Sequence, residues 1–457
     1  NTQRMIQQKK LLSAILLMAA FMVNAQTNPA ITSWMQNTTI KGRHYVSGNS
    51  TAINDPSLIA NVQSVKYSTN NVYISTQGIP SYVVGPYLDG NTNQAGSQNA
   101  IFKFPLNPVQ NTGAAVKTSL GNIGVFINGV AMFNFSDAIS WKSSTGAFAG
   151  GPLGGAGDGV WNRDAIVYEK KGFDCSKGHP AGTNYHHHQN PSAFKLDLVN
   201  ISTICNLYDA DGLYVIDSTK HSPLIGFAYD GFPVYGAYAY KNTDGTGGIV
   251  RMKTSYSLRN ITVRNTLYTG ASVTAGPNVN ATYPLGSFQE DYGYTAPTSS
   301  DYLDEHNGRF CVTPEYPNGT YCYFATVDAN WNSAYPYLIG PTYYGTKVAA
   351  KVGSITETVT TYTPSTTGIS AEDKNEFDIS VFPNPANEFI AVQLNDLTKD
   401  NLSVVLYDIT GKEIQNQTIY QGSTIAYFDT RTLYNGEYLV KLTSASQTVT
   451  KRISIMR

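Results

Sequence analysis

Six of the chain's seven histidines fall between positions 179 and 306: His179, His186, His187, His188, His221 and His306. Imidazole is the commonest metal ligand among side chains, and rings gathered within a few residues can grip one ion. The run Tyr185-His186-His187-His188 reads as a strand, in which successive side chains alternate between faces. His186 and His188 then share a face and His187 points away, while His179, seven residues before His186, joins them across a turn. Neutral imidazoles suit copper, zinc, nickel or iron and are poor partners for magnesium or calcium. An all-imidazole set, weighed with the Irving–Williams order, favours copper, with zinc second. The competing reading is a set of histidines hydrogen-bonded in the core or carried on an exposed loop.

Carboxylates and thiols supply the other chemistry. Glu290-Asp291 and Asp304-Glu305 form the one acidic concentration near these histidines. Glu290, Asp291 or Asp304 could serve as acid or base in a metal-dependent hydrolase or oxidase, or be ordinary loop charges. Asp230, in Tyr229-Asp230-Gly231, either fixes a ligating imidazole from behind or closes an Asx-turn, and the turn is preferred. The cysteines number four: Cys175, Cys205, Cys311 and Cys322. In an exported chain an even count argues for disulfides, and sequence neighbours give Cys175–Cys205 and Cys311–Cys322. A mixed Cys/His metal site is the alternative. The glycine run from Gly150 to Gly159 lacks the Lys-Ser/Thr of a phosphate-cradling loop. No Gly-x-Ser-x-Gly elbow is present, so nucleophilic hydrolase chemistry has little support.

The elements that would position these groups are strands. Val72–Ser75, Ile123–Ile127, Val130–Phe133, Leu224–Tyr229 and Thr320–Ala325 are β-like runs separated by Gly/Asn/Pro/Ser stretches, and almost no helix-period pattern appears between 30 and 350. The expected fold is mainly β: a large β-rich domain with long loops, followed by a small antiparallel β-sandwich. Only 14% of the 457 residues are charged, against about 25% in an ordinary soluble domain. The net charge of −1 provides no field to draw nucleic acid or an anionic membrane. The 32 tyrosines should mostly pack the sandwich, although an exposed row of them would make a glycan- or protein-contact face.

The ends read as addresses. Lys9-Lys10, the apolar run Leu11–Val23 and Asn24-Ala25 have the layout of a cleavable signal over 1–25, with 1–4 as a possible upstream extension before Met5. No later segment is apolar and long enough to span a membrane, so the mature chain is expected to carry no transmembrane segment. Residues 354–376 are Thr/Ser-rich and read as a linker. Beyond them come alternating runs at 379–382, 389–394, 402–407 and 438–442, with turn signals at Pro383-Asn384-Pro385, Gly411-Lys412 and Asn435-Gly436.

Phe382-Pro-Asn-Pro385, Tyr407-Asp-Ile-Thr-Gly-Lys412 and Leu433-Tyr-Asn-Gly-Glu-Tyr438, followed by Lys451-Arg452 and Arg457, resemble the type A sorting domain of the type IX secretion system. That resemblance implies a Bacteroidetes-type bacterium, the type IX machinery as partner, and delivery through the periplasm and outer membrane to the surface or beyond. A second resemblance covers about 95 to 345. Gly178-His179-Pro180 with Asn184-Tyr-His-His-His188, Ile123–Val130, His221–Gly236, Leu303–Arg309, Thr313–Tyr321 and Tyr335–Gly340 are similar, in order, to the blocks of the YHYH family of secreted bacterial proteins. His187 stands where that family has its second tyrosine, so it must find a hydrogen-bond partner or ligate. The family carries over no activity. The expected division is 26–94 as an N-terminal β-rich segment, 95–350 as the YHYH-like domain and 377–457 as the sorting domain. The function expected is an exported protein with a His-cluster transition-metal site. An extracellular metal-dependent enzyme and a glycan- or protein-binding adhesion module are the alternatives.

Overall fold

The computed structural model describes residues 28–456, apart from 50, 88–92, 192–212, 215, 349–350, 365–378, 395–397, 399, 410 and 445–447. The signal-like segment and Cys205 lie outside the described residues. The chain divides into two compact units, Asn1–Thr363 and Pro364–Arg457.

The first unit is built on two sheets that share one core. Five antiparallel strands run in the order Lys351–Val352, Ala100–Pro105, Asn71–Thr76, Val62–Tyr67, Thr360–Tyr362. The Ala100–Pro105 strand alternates buried and half-buried positions, the period-two pattern of a strand with one face on a core. The segment before residue 95 is therefore continuous with the main domain, because its strands pair with Ala100–Pro105. Within the stretch expected as linker, the β-branched Thr360–Tyr362 takes the sheet edge beside Val62–Tyr67.

The second sheet has eight strands: His179–Ala181, Asn184–His187, Ala131–Phe133, Asn122–Phe126, Leu224–Ala228, Pro233–Tyr235, Thr320–Phe324 and Gly308–Cys311. It is mixed, with parallel pairs only where Asn184–His187 meets Ala131–Phe133 and where Pro233–Tyr235 meets Thr320–Phe324. Leu224–Ala228 is buried at every position, as a central strand covered on both faces must be. Val65, Ile74 and Phe104 of the first sheet share a core cluster with Val125, Phe227 and Phe324 of the second. Trp34 bridges them, 5.6 Å from the Phe104 ring and 5.3 Å from that of Phe227.

The second unit is a small antiparallel β domain. Ile379–Phe382, Phe389–Leu394 and Ile425–Asp429 form one sheet. Leu402–Asp408, Glu413–Ile419, Gly436–Thr443 and Thr448–Ile455 form the other. Their inward residues, Ile390, Val392, Phe428, Val404, Leu406 and Val440 among them, make one apolar cluster. The mainly β class and the small C-terminal sandwich are thus the fold that the alternating runs indicated.

Candidate metal centre

The histidine cluster sits at the edge of the eight-stranded sheet. His179–Ala181 and Asn184–His187 form a hairpin closed by the two residues Gly182-Thr183, with Gly182 at φ 61°. A two-residue hairpin turn needs such a left-handed residue to match the strand twist, and glycine adopts it without steric cost. The register sets His179 directly opposite His186, with ring centroids 4.7 Å apart. His188, two residues on, returns to the face of His186. One ring nitrogen from each of His179, His186 and His188 lies within 4.8 Å of the others, and all three residues are buried.

Neighbouring groups fix how the rings face. The preceding loop is held by Asp174, which accepts from Ser176 N, Gly178 N, Gly85 N and the Tyr185 hydroxyl at 2.7–3.0 Å. His186 Nδ1 donates to the Asn184 carbonyl at 2.9 Å, and His188 Nδ1 donates to the Asn134 carbonyl at 2.5 Å. Carbonyls only accept, so both Nδ1 atoms carry hydrogen, and in the neutral rings both Nε2 atoms then present lone pairs. Those two Nε2 atoms face each other at 3.0 Å. Phe133 stacks on the His186 ring, centroids 3.6 Å apart.

Sequence reasoning missed a fourth donor. Glu169 closes the short helix Ala165–Glu169, whose N-terminus is capped by Asp164 accepting from Val167 N. Its carboxylate oxygen Oε2 lies 3.1 Å from His188 Nε2 and 3.3 Å from His179 Nε2. In Tyr168-Glu169-Lys170-Lys171 it looks like one charge of an ordinary surface turn, and no spacing ties it to His179. Burial alone would raise this carboxyl, but the imidazoles of His179 and His188 hold it well below the usual range. Burial works to lower His188, yet the Glu169 carboxylate turns its net shift upward. Burial and the other two rings hold His186 well down.

The remaining expected ligands stand elsewhere. His187 points to the opposite face, where its Nε2 meets the Tyr82 hydroxyl at 2.8 Å and its ring packs on Phe126 and Tyr185. It has found the hydrogen-bond partner that replacing a core tyrosine requires, and burial pushes its pKa down to about 3. His221 bonds the Ser222 carbonyl and packs on Tyr235 and Tyr240. His306 bonds Thr342. His44, outside the cluster, meets Asp55 at 2.7 Å.

The acid/base candidates are likewise engaged locally. Glu290 accepts twice from Asn162, Asp291 pairs with Arg264, and Asp304 accepts from Tyr321, His306 N and Gly308 N. Asp230 closes the turn to Phe232 and accepts from Tyr323 and Gly345 N, so it is a turn residue rather than a support for an imidazole. Cys311 and Cys322 are buried free thiols, not the expected disulfide. Cys311 opposes Thr320 and Cys322 opposes Arg309, so the two thiols are diagonal neighbours whose side chains interact.

A β-sandwich domain with a buried edge-strand histidine cluster, followed by a second small β unit, therefore describes the chain. It belongs to the family described as YHYH protein, which matches residues 101–336. Residues 380–456 match the secretion system C-terminal sorting domain. This tail marks the chain for the type IX machinery and for secretion across the outer membrane to the surface or exterior. Among the described residues, no helix is long and apolar enough to cross a membrane. No curated protein matches the chain.

Proposed function

We propose that this exported protein binds one divalent transition-metal ion through His179, His186, His188 and Glu169, and that the ion stabilises the sheet edge. The carrying observation is the pair of Nε2 atoms facing each other at 3.0 Å, with a carboxylate oxygen 3.1 Å from one of them. With both rings neutral, acceptors face acceptors in a buried site, and a metal ion or a proton must lie between them; a metal ion can meet all of them at once. Metal–nitrogen bonds of about 2.0–2.1 Å place neighbouring donors about 3 Å apart, which matches this spacing.

The preference for copper rested on a wholly imidazole set, and Glu169 removes that premise. Three imidazoles and a carboxylate accommodate zinc as readily as copper(II). Four protein donors, with the three imidazoles buried, also favour a structural ion over a catalytic one, which keeps an open position for water or substrate. Metal analysis by mass spectrometry on untagged protein tests the reading. About one ion per chain is expected, lost in His186→Ala/His188→Ala and retained in His221→Ala/His306→Ala. An unchanged metal content in the first double variant refutes it.

A further inference from the structure

Apart from the metal centre, the first unit carries an open cleft of about 810 Å³. Clefts of about 300–1,000 Å³ are the usual size for small-molecule ligands. Its walls are rich in tyrosine. Tyr292 stacks on Tyr335 with centroids 4.2 Å apart and planes 7° from parallel, and Tyr256 meets Tyr335 edge-on at 5.5 Å. This stack is anchored in the cluster of Phe135, Ile166, Phe173 and Tyr337, so the rings are rigidly held. Tyr268, on the same cleft, is 53% exposed. The packing of the domain therefore leaves this large ring available.

The polar lining decides what the cleft suits. Asn162, Gln289, Thr118 and Thr342 contribute amide and hydroxyl groups. The charged residues are Glu290, Glu305 and Lys117. Both Glu290 oxygens are already taken by Asn162, at 2.8 and 2.6 Å, which leaves Glu305 to balance Lys117. With two carboxylates against one lysine, such a lining offers no net attraction to an anion. It offers flat apolar faces beside a few polar groups, of which Asn162, Thr118 and Thr342 also bond Glu290, the Gly340 carbonyl and His306.

We propose that this cleft binds a neutral oligosaccharide, with Tyr268 stacking on a sugar ring and Glu305 accepting from its hydroxyls. A sugar ring presents an apolar C–H face and an equatorial rim of hydroxyls, the two features that this lining complements. Delivery to the cell surface or exterior places the cleft among such polymers. None of the four proposed metal donors lines the cleft, so this inference does not depend on the metal reading.

Isothermal titration of the full chain with maltohexaose, cellohexaose, xylohexaose and chitohexaose tests it, with an oligogalacturonate as the anionic comparison. At least one neutral hexaose is expected to bind saturably. Tyr268→Ala should weaken that binding about tenfold, the worth of one aromatic contact, and Glu305→Gln should weaken it as well. Tyr434→Ala, 87% exposed in the C-terminal unit, should leave it unchanged. The proposal is overturned if no neutral hexaose binds, if only the oligogalacturonate binds, or if the affinity survives both cleft substitutions.

Discussion

Removing the ion from the proposed centre should cost stability by an amount that the geometry sets. Without a cation, His186 Nε2, His188 Nε2 and Glu169 Oε2 are three acceptors in one buried space. One proton on His188 Nε2 can serve only one or two of these contacts. Each buried polar atom left without a partner costs about 1–3 kcal/mol, so the apo protein should be about 2–4 kcal/mol less stable. A domain of about 150–250 residues shifts by about 2–4 °C per kcal/mol, and larger domains shift less. The first unit exceeds that size, so at about 1–2 °C per kcal/mol the expected fall in melting temperature on chelation is about 2–8 °C, recovered on adding zinc. Differential scanning calorimetry of untagged protein, with and without a membrane-dialysed chelator, measures it. The control is His186→Ala/His188→Ala, which should melt at the same temperature in either buffer. A wild-type melting temperature that does not move when the metal content falls to zero refutes the reasoning, because the ion would then not be satisfying those acceptors.

Two further outcomes follow from other parts of the domain. Arg264 and Asp291 are both fully buried; the guanidinium donates Nε to Oδ1 at 2.7 Å and Nη2 to Oδ2 at 2.9 Å, and it also reaches the carbonyls of Pro277, Tyr283 and Pro284. Arg264→Ala strands the Asp291 carboxylate and should cost about 3–5 kcal/mol, read as a lowered urea midpoint; a change within 0.5 kcal/mol or so would contradict the buried pairing. Alkylation of the denatured, unreduced protein should modify Cys311 and Cys322. Cys175 and Cys205, which we propose to be joined, should stay unmodified until reductant is added. Peptide mapping that finds Cys311 bridged to Cys322 would contradict the free thiols.

The parts of this structure that were legible in the sequence are those governed by local periodicity. Alternation in 402–407 gives a strand because a half-buried strand has a period of two, and the three-residue His run separates by face for the same reason, whereas the β-rich runs 72–75 and 389–394 form strands with consecutive residues buried. The opposition of His179 to His186 depends on a two-residue turn, which Gly182-Thr183 signals only weakly. Glu169 was not legible, because tertiary packing of a five-residue helix brings it to the cluster. The expected Cys311–Cys322 bridge is absent, two free thiols standing in its place. Tyrosine was read mainly as packing, whereas four tyrosines also donate to buried carboxylates: Tyr337 to Asp164, Tyr185 to Asp174, Tyr321 to Asp304 and Tyr323 to Asp230, at 2.5–2.8 Å. Burial lifts Asp164 and Asp174 to about 7 and Asp230 to about 6. Tyrosine hydroxyls thus supply hydrogen-bond donors to these carboxyls without the counter-charge that arginine or lysine would bring.

The position of the histidines argues further for a structural ion. An edge strand exposes unpaired backbone groups and is prone to fray or to pair with another chain. His179–Ala181 is such an edge, only three residues long, held to the sheet by a single neighbouring strand. An ion bound by His179 on that edge, by His186 and His188 on and just beyond its neighbour, and by Glu169 on a separate helix would tie three chain segments together. The Asn134 carbonyl that orients His188 follows strand Ala131–Phe133, so the next strand inward also supports the ligand shell. Each tie limits a motion that backbone pairing alone leaves free. His179 Nδ1, by contrast, is buried with no hydrogen-bond partner. The edge ligand is therefore the least supported of the three imidazoles, and its ring should be the first to leave the ion. His179→Ala should accordingly weaken metal binding less than His188→Ala in a competition titration against a chromogenic chelator. The reverse order would mean that the edge ligand, rather than the carbonyl-held pair, dominates the affinity.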